Sequence, residues 1–242
     1  MSVTAILVLV LFTFTAAFIQ RVSGFGFGIF IMTVLPHLMP SYAEATALSG
    51  LLAIVTALIT AAAMYRYLVW RKLLSILIAF IAVSFFSVMM VANVDSHLLR
   101  KVLGIVMIAI SIYFFFISER IHLRPTFRIQ VTMGALSGMM GGLFAMQGPP
   151  AVAYFIGSCK SKEEYIAETQ WYFLIGNIAM TFFRAGNGFV TPFVLTSFLW
   201  TLPAVFAGLW AGSKVYEYIS LPLLRKVIYL YMAVAGVLAI VI

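Results

Sequence analysis

One Gly- and Pro-containing stretch occurs twice in this chain and limits what the chain can fold into. The first copy, SGFGFGIFIMTVLP, covers residues 23–36, and the second, SGMMGGLFAMQGPP, covers residues 137–150. At an offset of 114 residues (137 − 23), six positions are identical: Ser23/Ser137, Gly24/Gly138, Gly28/Gly142, Phe30/Phe144, Met32/Met146 and Pro36/Pro150. Glycine and proline are the residues that most weaken a helix interior, so each copy predicts an interrupted helix.

The apolar character of the chain places these interruptions in a membrane. Of the 242 residues, 64% are hydrophobic and 9% are charged, and the mean hydropathy is +1.12. Apolar runs of about 20 residues recur, long enough to cross a hydrocarbon core of roughly 30 Å. Backbone groups freed at a break cannot face lipid, so they must face protein, a cavity or a ligand. The two motifs are therefore the first place to look for a site.

The spacing of the apolar runs predicts two halves with the same plan. Val3 to Pro36 is too long for one plain span and too short for two, and Arg21 is its one charge, so we expect a helix interrupted at the glycines. The first residues lack the basic region and cleavage site of a signal peptide, which indicates a retained span. Further spans are predicted at 43–64, 70–92 and 98–118, then a broken segment at 129–157 and spans at 165–186, 192–213 and 222–242.

The predicted fold is therefore an all-α polytopic membrane protein of about eight transmembrane helices. These form two homologous four-helix repeats, 1–118 and 129–242, joined by a polar linker at 119–128. The fourth span of each half opens on the same residues, LLRKV, which supports an internal duplication. Four spans per half is an even number and predicts parallel repeats, whereas a re-entrant broken segment would make the number odd and the repeats inverted. With eight plain spans, each face collects seven basic residues, so the positive-inside rule does not decide the orientation.

The two broken motifs, each followed by three spans of which the last opens on LLRK, resemble the TauE/SafE, or sulfite exporter, family of membrane permeases. The segment GGLFAMQGPPAVAYF, residues 141–155, is the more specific of the two. The resemblance covers nearly the whole chain. It implies a secondary carrier for sulfite, organosulfonates or related small sulfur or carboxylate anions. GFGFG in the first copy and Ala145, Met146 and Gln147 in the second depart from the usual family pattern, which implies a substrate different from that of better-known members.

A carrier for small anions needs hydrogen-bond donors and positive potential near the membrane centre. Exposed N–H groups at the start of a half-helix supply both, so we expect sites at the segments after Gly28 and after Gly142. Close helix packing through small residues is the alternative for such glycines. The neutral candidates for substrate binding are Ser23, Gly24, Gly28, Ser137, Gly138, Gly142 and Gln147.

Two arginines and one polar helix face are further candidates for substrate binding. Arg21 lies inside an apolar run, where a charge costs about 2.5 to 3.5 kcal/mol and normally faces a cavity or a partner. Snorkelling to the interface is the alternative. Gln170, Asn177 and Arg184 follow one another at seven-residue intervals and so share one helix face. Interhelical hydrogen bonding is the alternative for the two amides.

Glu44 and Glu168 stand near the starts of the second and sixth spans and are candidates for a coupling proton, with Na⁺ the other option. An acid placed favourably in the first turn of a helix is the alternative. Cys159 is the one cysteine and the three histidines are scattered, so we predict no cofactor and no metal. The basic residues lie singly or in pairs between spans, which argues against nucleic acid as a partner.

These patterns together predict a secondary transporter of a small sulfur-containing or carboxylate anion that works by alternating access. We expect it in a bacterial inner membrane, with lipid as its surroundings; the sequence does not indicate an oligomeric state. An anion channel of the same architecture and a non-transport assembly factor are the alternatives. An enzyme is not expected, because no metal cluster, carboxylate pair or Cys/His couple lies at membrane depth.

Overall fold

The computed structural model describes residues 2–117, 126–215, 218 and 221–241, and this part of the chain consists of helices and turns, with no strand. Of the predicted linker at 119–128, residues 119–125 lie outside the described part of the chain. The helices are α1 Val3–Ser23, α2 Phe27–Ile31, α3 Leu35–Leu38, α4 Tyr42–Ala63, α5 Trp70–Asn93, α6 Ser96–Ile112, α7 Phe127–Phe144, α8 Gly148–Ser158, α9 Lys162–Gly186, α10 Pro192–Val215 and α11 Leu221–Val241. A wider turn, Tyr113–Ile117, continues α6.

Side-chain caps fix where most of the long helices begin. The hydroxyls of Ser2, Ser41, Thr126 and Ser161 each accept the backbone N–H three residues later, at the starts of α1, α4, α7 and α9. The carboxylate of Asp95 does the same for α6. A side-chain oxygen there satisfies an N–H that has no partner inside the helix. The capped helices therefore start close to the residues at which the predicted spans start.

The first motif reverses the chain at its first two glycines. Gly24 and Gly26 have φ of 83° and 103°, in the left-handed region that a β-carbon disfavours, and α1 ends between Ser23 and Gly24. The chain then forms α2, a turn and α3 before α4 begins. The interruption predicted at the glycines is present in this copy.

The second motif reverses later than the sequence predicts. Its glycines at 138 and 142 lie inside α7, which continues to Phe144, and the turn falls at Ala145 to Gln147. The position equivalent to Gly26 is Met140, whose β-carbon disfavours a φ near 100°, so α7 continues as a helix. The broken segment predicted at 129–157 is present, but its break falls at Ala145, with φ 56°, and not among the glycines.

The glycines of α7 let this helix approach another closely. A β-carbon on Gly138 would lie 2.5 Å from the Phe80 carbonyl oxygen, and one on Gly142 would lie 2.4 Å from the Ser87 β-carbon, both on α5. These residues therefore have the packing role that was the alternative for them. The pairs α1–α10, α4–α9 and α6–α11 are the other extensive helix contacts.

Helices α1 and α4 run in the same direction. Gly208 and Gly212 of α10 pack on Phe14 and Phe18 of α1 respectively, so α1 and α10 are parallel. The residue before α10, Thr191, bonds a carboxylate near the start of α4, and Thr60 near its end contacts the α1 end, so α4 is parallel to both. The segment between α1 and α4 therefore returns the chain to the face from which α1 started.

Equivalent helices of the two halves run in opposite directions. Helix α5 starts where α4 ends and runs back, and α7 is parallel to α5, since Gly134 packs on Ile76 and Gly142 on Ser84. Helix α7 therefore runs opposite to its equivalent, α1. The expectation of parallel repeats is wrong, because the broken segment of each half returns the chain and makes the number of passes odd. We call the face with the starts of α1, α4 and α10 the terminal face, and the other the opposite face.

Five helices in the described part of the chain are long and apolar enough to cross a membrane: Val3–Ser23, Tyr42–Ala63, Trp70–Asn93, Ser96–Phe116 and Pro192–Val215. In α4, 67% of the most apolar window is buried, against 33% to 39% in the other four, so α4 is the central helix of these. Helix α9, which has 25 residues, carries many polar side chains and is not among the five. The structure is that of a polytopic helical membrane protein.

Candidate functional site

The two chain reversals meet at the centre of the molecule. A β-carbon on Gly28, in α2, would lie 2.1 Å from the carbonyl oxygen of Ala145, in the second reversal. No residue other than glycine fits this contact without displacing backbone. A cavity of about 30 Å³ lies beside the contact, between α2, the second reversal, α4 and α9. We call it the central cavity; it has room for about one or two water molecules.

Three side-chain amides line the central cavity: Gln20, Gln147 and Asn177. The Gln147 and Asn177 amide nitrogens both donate to the Phe173 carbonyl, at 3.5 and 2.8 Å. The Gln147 amide oxygen is buried without a hydrogen-bond partner, and such a group loses free energy unless a ligand or water pairs with it. No charged side chain of the described residues lines this cavity. It is a neutral site that could bind a small polar molecule or ion.

The backbone contributes less to this cavity than the sequence suggests. Helix α2 has five residues, too short for a large macrodipole. Helix α8 begins Gly148, Pro149, Pro150, and proline has no N–H, so its first turn lacks two of the expected donors. The anion site predicted from half-helix N–H groups therefore has fewer backbone donors than the two motifs suggest, and it stays a prediction. The side-chain amides are the main donors instead.

The two motif serines hold the reversals in place. The Ser137 hydroxyl donates to the Gln147 carbonyl and accepts from the Tyr172 hydroxyl at 2.8 Å. The Ser23 hydroxyl is 2.8 Å from the Ile19 carbonyl and 2.6 Å from the Phe25 carbonyl. Both hydroxyls are thus engaged with backbone carbonyls at a reversal, and neither lines the central cavity.

A larger cavity of about 580 Å³ opens beside the first reversal, towards the opposite face. We call it the vestibule. Arg21, Ser23 and Gly24 line it, together with Thr60, Lys162, Glu163, Gln170 and Ser213. The Arg21 guanidinium is partly buried and donates to the Thr60 hydroxyl at 3.4 Å. The vestibule thus carries an arginine and a lysine against one glutamate.

Arg184 lies near the other end of α9, beside the second reversal, and its side chain is fully buried. One guanidinium nitrogen, Nη2, donates to the Gly141 carbonyl at 2.9 Å, while Nε and Nη1 have no partner. No carboxylate of the described residues pairs with it. A buried charge without a counter-ion is costly, so this guanidinium is suited to binding an anion.

Glu44 and Glu168 lie at different faces of the molecule and line neither cavity. Glu44, near the terminal face, accepts from the Thr191 hydroxyl at 2.7 Å and the Ser41 hydroxyl at 3.0 Å. Glu168, near the opposite face, accepts the Val69 N–H at 2.7 Å, and its second oxygen has no partner. Glu168 is fully buried and is the more unusual of the two.

The structure therefore places Gln147, Asn177 and Gly28 together at the central cavity and Arg21, Ser23 and Gly24 at the vestibule. Gly138 and Gly142 pack helices, and Ser137 supports the second reversal. Sequence reasoning missed Gln20, although a glutamine next to Arg21 inside an apolar run was a signal for it. No three His, Cys, Asp or Glu side chains among the described residues are grouped so as to hold a metal ion.

The chain matches the model of a known family, described as Sulfite exporter TauE/SafE, over residues 9–239. The match includes both motifs, both reversals and every residue that lines the two cavities. No curated protein and no solved structure matches the chain.

Proposed function

Since the chain belongs to the sulfite exporter TauE/SafE family of membrane transporters, we propose that it is a secondary carrier of sulfite or a small sulfonate, with related carboxylates as further substrates. The observation that carries this proposal is the central cavity, in which three amides and no acidic side chain face the point where the reversals meet. Neutral donors bind an anion without holding it as tightly as a fixed charge would. A carrier must also release its substrate.

The two arginines extend this site towards both faces. Arg21 lies one residue from Gln20, at the vestibule, and Arg184 lies seven residues after Asn177, about two helical turns or roughly 10 Å along α9. An anion that crosses the protein therefore passes from one guanidinium to the amides and on to the other guanidinium. The positive potential at both ends favours anions over cations.

Alternating access fits the difference between the two faces. The vestibule leads from the opposite face to Gln20, whereas α4, α9 and α10 close the terminal face with contacts such as Thr191–Glu44. Inverted halves can exchange these arrangements, which is a common basis of carrier action. In this proposal the two repeats are 1–118 and 129–242, with four main helices each, and Glu168 or Glu44 takes up a coupling proton unless Na⁺ couples transport.

The distribution of charge supports an orientation in a bacterial inner membrane. The opposite face carries eight described basic side chains, Arg66, Arg71, Lys72, Arg128, Lys160, Lys162, Lys214 and Lys226. The terminal face carries two exposed or partly exposed ones, Arg100 and Lys101. By the positive-inside rule, this distribution favours an orientation with the opposite face, and with it the vestibule, in the cytoplasm.

Counterflow in proteoliposomes tests the proposed function. Vesicles preloaded with unlabelled sulfite or a small sulfonate are expected to accumulate labelled sulfite transiently. Asn177→Asp, which puts a negative charge at the central cavity, is expected to lower the initial rate about tenfold or more, since about 1.4 kcal/mol is a factor of ten. Arg100→Gln on the terminal face provides a variant outside both cavities.

Asn187→Asp is the matched control. Both asparagines donate to the carbonyl four residues earlier, each at 2.8 Å, but Asn187 is exposed at the end of α9. It is expected to stay near wild type. Equal loss in both variants would argue against the central cavity as the site. Anion currents without counterflow would indicate a channel. The absence of both currents and counterflow would refute transport of these anions.

A further inference from the structure

Gln20 lies where the two cavities meet. Of the described residues it is the one that lines both the central cavity and the vestibule, and its side chain is 6% exposed. A solute that moves from the vestibule to Asn177 must therefore pass this amide. Gln170 lies beside it on α9, is 1% exposed and lines the vestibule.

The two glutamines belong to one chain of hydrogen bonds. The Phe27 N–H donates to Gln20 Oε1 at 3.2 Å, Gln20 Nε2 donates to Gln170 Oε1 at 3.4 Å, and Gln170 Nε2 donates to the Gly24 carbonyl at 2.7 Å. The bond between the side chains is the longest of the three and thus the weakest. It joins α1 to α9, two helices from different halves.

We propose that the Gln20–Gln170 amide pair is the gate between the vestibule and the central cavity. The gate opens when the long bond breaks and the Gln20 side chain turns away, while Gln170 stays bonded to the Gly24 carbonyl. Both amides can then donate N–H groups to an anion that passes the gate, and this role in anion binding rests on the proposed function. The role of the amide pair as a barrier does not depend on the proposed function.

Cysteine labelling from the vestibule side tests the gate. Cys159 is the one native cysteine, so Cys159→Ser gives a cysteine-free chain, to which Asn177→Cys adds a target behind the gate. The probe is the anionic thiol reagent sulfonatoethyl methanethiosulfonate. Gln20→Ala is expected to speed labelling about tenfold or more, the equivalent of losing about 1.4 kcal/mol of barrier.

Two controls separate a gate from a general loosening of the fold. Ser213→Cys lies in the vestibule, in front of the gate, so Gln20→Ala should leave its labelling rate unchanged. Gln130→Ala removes another partly buried amide, one that donates to the Tyr154 hydroxyl at 2.8 Å, outside both cavities. It should leave labelling of Asn177→Cys unchanged.

Gln20→Glu is the second variant, because it keeps the shape and the acceptor for Phe27 but replaces the donor to Gln170 by a negative charge. It should slow the anionic reagent relative to a cationic methanethiosulfonate. If the labelling rate of Asn177→Cys is the same with and without Gln20→Ala, the gate is overturned. If labelling responds as expected but the wild-type protein shows no counterflow, the gate is retained and the proposed function is refuted.

Discussion

Each of the two reversals has an arginine beside it, but the two arginines come from different helices and lie in different surroundings. Arg21 precedes the first reversal by three residues on the same helix and faces the vestibule. Arg184 reaches the second reversal from α9 and is fully buried there. The position equivalent to Arg21 in the second copy is Ala135. Each reversal thus has an arginine beside it in space, although the two arginines do not occupy equivalent positions in the two motifs.

The reversals themselves are also made in different ways. The first depends on backbone freedom at Gly24 and Gly26, whose φ values are positive. The second has a non-glycine residue, Ala145, at positive φ, and side chains such as Ser137 hold it. A reversal made by glycine can be disturbed by any β-carbon, whereas one held by side chains can be disturbed by removing a hydroxyl.

We expect the strongest effect from a substitution that pushes the two reversals apart. Gly28→Ala puts a β-carbon 2.1 Å from the Ala145 carbonyl oxygen, and backbone on both sides must move. We expect a loss of about 3 kcal/mol or more of folding stability, measured as the thermal midpoint in detergent, and loss of counterflow. Gly186→Ala is the control, since nothing lies within 4 Å of its β-carbon; similar losses in both would contradict this reason.

The two arginines should separate stability from transport. Arg184→Met removes a buried charge without a counter-ion, so we expect an unchanged or raised thermal midpoint but about a tenfold slower counterflow. Arg21→Met should raise the anion concentration needed for half-maximal counterflow, because the local concentration in the vestibule falls. Added salt should weaken the Arg21 effect more. A lower midpoint in Arg184→Met would show that this guanidinium is mainly structural.

The φ values predict opposite effects at the two reversals. Gly26→Ala has room for its β-carbon, with Ile19 at 3.5 Å, so strain at φ 103° is its main cost, about 1 to 3 kcal/mol. Ala145→Gly relieves strain and should stabilise the fold by up to about 1 kcal/mol. Chemical unfolding of the pair measures both. Destabilisation by Ala145→Gly would mean that the second reversal is not strained.

Among the losses of stability, the smallest is expected where a single hydroxyl is removed. Ser137→Ala leaves the Gln147 carbonyl and the Tyr172 hydroxyl without a partner, which should cost about 1 to 2 kcal/mol. Ser213→Ala, whose hydroxyl bonds to the carbonyl three residues earlier on an exposed part of α10, should cost much less. A Ser137→Ala variant as stable as wild type would show that the Ser137 hydroxyl does not stabilise the second reversal.

The class of protein, the family resemblance, the motif that occurs twice and the approximate positions of the helices all follow from the sequence. They do so because hydrophobic runs, caps and the Gly/Pro pattern are local properties. The sequence also pointed to Gln147, Asn177 and the two arginines, because polar residues in apolar runs are conspicuous. These signals hold whichever way a helix crosses the membrane.

The direction of the helices becomes visible only in the folded protein. A segment that passes through the membrane and one that turns back have the same hydropathy, so hydropathy predicts an even number of spans and parallel repeats. The return of the chain at Gly24–Gly26 and at Ala145–Gln147 inverts the halves and moves the basic residues to one face. It also brings Gln20 to Gln170, 150 residues away, and no local pattern contains a contact of that length.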